Sequence, residues 1–251
     1  MGAAADPPQA PGKTPGTTPD GSAPGGKPGR MRADALRNRR LILDAARDVF
    51  IEAGPDAPLD EIARRAGVGI ATLYRRFPDR EALIRGVVLH TFTVLSDTVQ
   101  AVREEAADPF DALRRFMHVA LDQKIGAAMP ALVGCVDFDD ELDNARRGLG
   151  SPIEELLREA QAAGLVRPDV AFGDITLMVI RLCRALPAVT KLLVDDRLAH
   201  RQLDIYLDGL RSDGTPARHS LPPPLVTLAD FDRIRAELHA AHKNENGSAP
   251  G

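Results

Sequence analysis

An all-α fold follows from three observations on this 251-residue chain. Apolar residues recur at helical spacing along most of the sequence, and no stretch alternates polar and apolar residues as a half-buried strand would. Gly, Pro, Asp and Ser stand where helices should start and stop. The pattern predicts a small N-terminal three-helix domain with a helix-turn-helix, over residues 31–85, then a larger helical body over 86–212. Tails flank both: 1–30, rich in Pro and Gly, and 213–251, a Pro-rich linker with a short C-terminal helix.

Residues 1–30 have no periodic apolar face and are expected to be disordered. They lack the apolar run of a signal peptide, and Met31 is a second candidate initiator. The basic run Arg32, Arg37, Arg39 and Arg40 reads equally as a DNA-reaching arm or as a solvated helix start. The first helix of the domain carries Ile42, Ala45, Ala46, Val49, Phe50 and Ala53 on one face, and Gly54-Pro55 closes it.

The second helix has Leu59, Ile62, Ala63 and Ala66 at i, i+3, i+4, i+7, leaving Asp60, Glu61, Arg64 and Arg65 wet. Gly67 suits a left-handed helix end, Val68 anchors a three-residue turn, and Gly69 caps the next helix. In that third helix Leu73 and Phe77 define a buried side. Ala71, Thr72 and Arg75 then face outward, with Tyr74 and Arg76 on the flanks. Small residues, hydroxyls and guanidinium groups suit a face that enters a DNA groove. Ile70 lies near the Leu73 side yet at the helix start, where it could also meet a thymine methyl. Pro78 ends this helix and Asp79 caps the next, with Glu81 in its first turn. Arg80 and the free amides beside it form a candidate phosphate clamp.

From Arg40 to Val87 the chain resembles the TetR family of bacterial transcriptional regulators. The residues that carry the likeness are Ile42-Leu43-x-Ala45-Ala46-x-x-x-Phe50, Asp60-Glu61-Ile62-Ala63, Gly67-Val68, Thr72-Leu73-Tyr74, Phe77-Pro78 and Arg80-Glu81-Ala82-Leu83. The resemblance implies backbone contacts to DNA from Thr72, Tyr74 and Arg80, and a major-groove face at Ile70, Ala71 and Arg75, while Arg76 takes a place often held by His or Tyr. Two positions depart from the family pattern: Gly69 replaces a Ser or Thr cap, and Pro58 replaces the Thr or Ser that opens the second helix.

In the body, Asp79 to about Ala106 reads as one long helix with Ile84, Val87, Val88, Thr91, Leu95, Val99 and Val102 on a stripe. Asp108-Pro109 starts a helix with Leu113, Phe116, Met117 and Leu121, and Pro130 interrupts the stretch beyond it. Ser151-Pro152-Ile153-Glu154 reads as a capping box that starts a helix ending at Gly164. Phe172–Leu186 and Arg197–Leu210 form two more amphipathic helices.

The resemblance implies that this body binds a small-molecule effector and pairs with a second copy. Candidate pocket residues are Phe92, Leu95, Phe116, Met117, Met129, Phe138 and Met178, since Met and Phe adapt to apolar ligands. Arg181 would pair with an anionic ligand group or with an interface carboxylate. Candidate dimer residues are Met178, Leu182, Ala185, Leu203, Tyr206, Leu207 and Leu210, and each pocket or dimer candidate also reads as ordinary core.

The formal net charge is -4, with roughly +2 in residues 31–90 and roughly -7 beyond them, so the DNA-facing end is the basic end. Two cysteines without CxxC spacing fit a reducing compartment. Expected partners are a double-stranded DNA operator, a second copy and an unidentified effector, in the cytoplasm, with no membrane and no cofactor. No apolar run is read as long enough to span a bilayer. There is no GxSxG, HExxH, Walker loop or dinucleotide fingerprint, so nothing points to an enzyme. His239 and His242, three apart beside Glu237, are not read as a metal site. A helical interaction protein that has lost DNA binding is the other reading, opposed by the still polar and cationic third helix.

Overall fold

The computed structural model describes residues 2, 28–184, 196–212, 221–224, 226–231, 233, 234 and 237. The described residues form nine helices: α1 (Pro28–Ala53), α2 (Leu59–Arg65), α3 (Ile70–Arg76), α4 (Arg80–Glu105), α5 (Pro109–Asp122), α6 (Ile125–Gly134), α7 (Asp140–Ala162), α8 (Phe172–Leu182) and α9 (Asp196–Leu210). Residues 1–36 and 37–251 form separate compact units, and the apolar cores lie in the second. The disorder expected for 1–30 falls mostly outside the described residues, although α1 already begins at Pro28.

Several helix starts obey the sequence chemistry. Asp79, Asp108 and Asp139 each accept a hydrogen bond from the backbone N–H three residues on, and Pro109 occupies the first turn of α5. Gly54, Gly67 and Gly164 take positive φ just after helix ends.

Two apolar clusters hold these helices. One joins Ile42, Leu43, Val49, Phe50, Ile62, Leu73 and Phe77 to the first half of α4, and continues through Met129, Leu132, Val136 and Leu142. The other joins Leu95, Val99 and Val102 of α4 to α5, α7, α8 and α9. α4 therefore serves both cores, and ten of its residues are buried. By length and composition α4 could cross a membrane, which corrects the reading that no apolar run is long enough. Its apolar character has a different cause, since half of the relevant window is buried as the central core helix.

A second correction concerns Ser151-Pro152. α7 runs unbroken from Asp140 through Pro152 to Ala162, so no helix starts there. Pro152 has no N–H for the Gly148 carbonyl one turn earlier. The Ser96 hydroxyl of α4 donates to that carbonyl at 3.1 Å instead, which lets the helix continue. Likewise Pro130 lies inside α6 rather than interrupting it.

The C-terminal segment seats on two glycines. A Cβ on Gly173 would sit 2.1 Å from the Val226 carbonyl oxygen, and one on Gly150 would sit 2.8 Å from Leu228. Phe231 meets Phe172 edge-on at 5.7 Å. Ile234 is exposed, and Leu238 and Ala241 lie outside the described residues. The paired backbone of Val166 and Arg211 ties the end of α9 to the loop after α7.

Candidate nucleic-acid interface

α2 and α3 are joined by the short turn Ala66-Gly67-Val68-Gly69, in which Val68 N–H bonds to Ala63 and the Gly69 carbonyl accepts from Thr72 and Leu73. Leu73 is fully buried and Phe77 nearly so, which fixes the rotation of α3. Phe77 in turn packs so closely on α4 that a Cβ on Gly86 would lie 2.8 Å from its ring. The outward face of α3 then carries Ile70, Ala71, Tyr74, Arg75 and Arg76, all exposed, with Thr72 half-buried. Ile70 thus resolves to the outer side, at the helix start.

The arginines of α2 and α3 differ in their commitments. Arg64 and Arg65 both bond to Glu61, and Arg65 also forks onto Glu52 at 2.7 and 2.5 Å. These guanidiniums, Arg64 first, hold the Glu61 carboxyl down at about 2. Arg75 makes only a long 3.4 Å contact to the Thr72 hydroxyl. Neither Arg75 nor Arg76 meets a carboxylate among the described residues. The exposed cations of the third helix are therefore available, while those of the second are neutralised.

Arg80 is placed differently from the clamp the sequence suggested. Its Nη1 donates to the carbonyls of Pro55 at 2.8 Å and Ala57 at 2.6 Å, so it braces the α1–α2 connection. Nothing in the sequence singles out those acceptors.

Further contacts join the helix-turn-helix end to the body. Arg47 of α1 donates to the Gln123 side chain after α5 at 2.7 Å, and Arg85 of α4 bonds to Asp139 and Glu141 at the start of α7. At the α6–α8 crossing, a Cβ on Gly126 would lie 2.3 Å from the Ile180 backbone.

The pocket candidates do not gather in one place. Leu95, Phe116 and Met117 belong to the core of the body, whereas Phe92 and Met129 are buried in the cluster that includes the helix-turn-helix, with Phe138 packed beside it. Met178 is half-buried and Arg181 exposed. The dimer candidates also need correction. Leu203, Leu207 and Leu210 are buried in the chain's own core, because the apolar stripe of α9 packs inward on α5. Leu182 and Tyr206 are half-buried against that core, and Ala185 lies outside the described residues, as does Leu186. The outer face of α9 instead exposes Ile205, at 61%, and Leu198. Ile205 stands off the main stripe, so periodicity alone passes over it. Burial raises the Tyr206 hydroxyl's pKa well above its usual range, and that hydroxyl meets no hydrogen-bond partner among the described residues.

Cys135 and Cys183 are free and half-buried. No group of three or more metal-ligating side chains occurs among the described residues, and His239 and His242 lie outside them.

The family model of bacterial regulatory proteins, tetR family, matches residues 42–87. The model for the C-terminal domain of SbtR-like transcriptional regulators matches residues 108–212. The HTH-type transcriptional repressor LfrR of Mycolicibacterium smegmatis is 38% identical over 87 residues, covering 34% of this chain and 45% of that protein. The chain spans about half the length of the curated relatives it matches. Two solved structures match along nearly their whole length. A TetR transcription regulatory protein from Mycobacterium vanbaalenii is 33% identical, with 72% of this chain and 99% of that one covered and a TM-score of 0.53. The regulator SCO0520 from Streptomyces coelicolor is 35% identical, with 70% and 99% covered and a TM-score of 0.53. LfrR itself, solved in complex with proflavine, shares the fold at 24% identity and a TM-score of 0.52, over 74% of this chain and 99% of that one.

Proposed function

The chain belongs to the TetR family of bacterial transcriptional regulators, and from that premise we propose that it is a sequence-specific DNA-binding repressor, cytoplasmic, homodimeric and responsive to a small molecule. The observation that carries DNA binding is the contrast within the helix-turn-helix. Arg75 and Arg76 of α3 are exposed and free of carboxylates among the described residues, beside Thr72 and Tyr74, while Arg64 and Arg65 of α2 are spent on Glu61 and Glu52. A helix that offers small residues, hydroxyls and uncommitted guanidinium groups on one face suits base edges and phosphates.

Two such heads in a dimer would read a pseudo-palindromic operator across successive major grooves. Exposed Ile205 and Leu198, with half-buried Tyr206 and Leu182, support a second copy seated on the outer side of α8 and α9. For the effector, the LfrR complex with proflavine supports a planar aromatic ligand. We place its site in the body core shared by Leu95, Phe116 and Met117, because Phe92 and Met129 are committed to the other cluster. An effector that favours one head spacing lowers operator affinity by its differential affinity for the two states. α4 spans both cores and would transmit the change.

The test is a gel shift of the purified protein on the DNA flanking its own coding region, at two salt concentrations, with and without nonspecific competitor. A discrete complex that survives competitor is the expected result. Loss of every complex under competitor, there and in a selection from random DNA, would replace this reading with that of a helical interaction protein.

A further inference from the structure

Four side chains form a continuous run between α5 and α9. Asp122 Oδ1 lies 2.9 Å from His200 Nε2, His200 Nδ1 lies 2.7 Å from His118 Nδ1, and His118 Nε2 lies 2.9 Å from Asp204 Oδ1. The two rings are 8° from parallel with centroids 5.0 Å apart. The 2.7 Å gap plus one ring radius at each end accounts for that separation. The imidazoles therefore lie edge to edge, each Nδ1 aimed at the other.

Counting hydrogens fixes the state of the run. A carboxylate only accepts, so each Nε2 carries a hydrogen. At 2.7 Å the two Nδ1 atoms must share one hydrogen, because two facing N–H groups or two facing lone pairs would repel at that distance. The pair thus holds three ring hydrogens and one positive charge between two carboxylates. The facing Nδ1 atoms offer no common apex for a tetrahedral metal ion, and no group of three or more His, Cys, Asp or Glu side chains among the described residues could hold one.

We propose that His118 and His200 form a one-proton latch that docks α9 on α5, and that uptake of a second proton opens it. The added proton sets two N–H groups head to head, so the rings must part. Leu203, Leu207 and Leu210 keep the inner face of α9 in the core, so the helix shifts rather than unfolds. Loss of the shared proton breaks the same bond from the alkaline side.

The other charges around the pair are accounted for. Arg197, Arg201 and Asp208 line the same open cleft of α9 as His200 and Asp204, which gives solvent protons access. One turn back on α5, Arg114 and Arg115 are tied to Asp111. On the Asp122 side stand Lys124, at the start of α6, and Arg47 of α1, bonded to Gln123. α8 contributes Asp174 and Arg181, both exposed, and α4 and α7 pair Arg103 with Glu155 and Glu159. The latch rests on the contact of α5 with α9 inside one chain and not on the dimer face proposed above.

The chain has no tryptophan and two tyrosines, Tyr74 and Tyr206, so Tyr74→Phe leaves Tyr206 of α9 as its single emitter. In that background, acidification from about pH 7.5 to about 5 should change Tyr206 emission with uptake of about one proton. His118→Gln and His200→Gln should each abolish the transition. Flat emission, or an unchanged transition in either variant, would overturn the latch. Should the variants fail to fold, imidazole nitrogen NMR of the unmutated chain at about pH 6.5 decides. Three N–H groups on two coupled rings support the latch, and two neutral rings exclude it. Neither readout involves DNA, so each can fail without touching the DNA-binding reading.

Discussion

Arg76 and Arg80 lie one helical turn apart in number and are both arginine, yet they should behave differently. Arg76 is exposed and meets no carboxylate among the described residues, so Arg76→Ala should leave the melting temperature unchanged and reduce the salt dependence of DNA binding by about one unit of slope. Arg80 braces the carbonyls of Pro55 and Ala57, so Arg80→Met should cost about 1 to 3 kcal/mol of stability, read by urea unfolding. If Arg80→Met proves thermally silent and changes only the salt slope, the brace is secondary to a phosphate contact. Arg75 faces outward at the middle of α3, and Arg75→Ala should relax preference at one base position at a cost of about 1 to 3 kcal/mol. An unchanged preferred sequence in a binding selection would reassign the reading face.

Among the elements, α7 shows how a neighbour rescues a local defect. Pro152 deprives the Gly148 carbonyl of its helical donor, and Ser96 of α4 supplies a replacement. Ser96→Ala should therefore destabilise by about 0.5 to 1.5 kcal/mol. Pro152→Ala restores a backbone N–H, so adding it should remove most of the Ser96→Ala cost. A double-mutant cycle by chemical unfolding measures the coupling, and strict additivity of the two substitutions would disprove the link. Helix α9 carries the converse lesson. Its strongest apolar stripe is spent on its own core, and the large apolar side chains it leaves exposed are Leu198 and the off-stripe Ile205. If the proposed dimer seats on this face, Ile205→Glu should leave the chain folded and make it monomeric in sedimentation velocity at micromolar concentration, where the unmutated chain is dimeric.

Over the whole molecule, ion pairs and the half-buried His90 contribute to the response of stability to pH. Glu61 and Asp169 are each held at about 2, by Arg64 with Arg65 and by Arg167. A carboxyl depressed on folding contributes stability that is complete above the ordinary carboxylate range and is lost as pH falls toward about 2. Both side chains are still partly open to water, so the effect is modest and should shrink in high salt. His90 is shifted down by burial more than Asp44 lifts it, so folding favours its neutral form. Stability should accordingly decline once pH drops below the ordinary histidine range, and His90→Gln should flatten that part of a pH series of urea melts. A series with no step in this range, identical in His90→Gln, would contradict the assignment.

The sequence by itself determined the all-helical class, the helix-turn-helix and its outward face. Those features depend on local spacing: Leu73 and Phe77 one turn apart can rotate α3 only one way, and Gly67 can end α2 because a left-handed residue is needed there. Caps at Asp79 and Asp108 were legible for the same reason. Tertiary structure decided what spacing cannot encode. Whether Leu203 faces a partner or its own α5, whether Arg80 meets a phosphate or a carbonyl, and whether Pro152 starts a helix or is bridged by Ser96 all depend on residues distant in the chain. The His118–His200 pair, 82 residues apart, is the extreme case. Two histidines on separate amphipathic helices carry no joint signal until the packing of those helices brings their rings together.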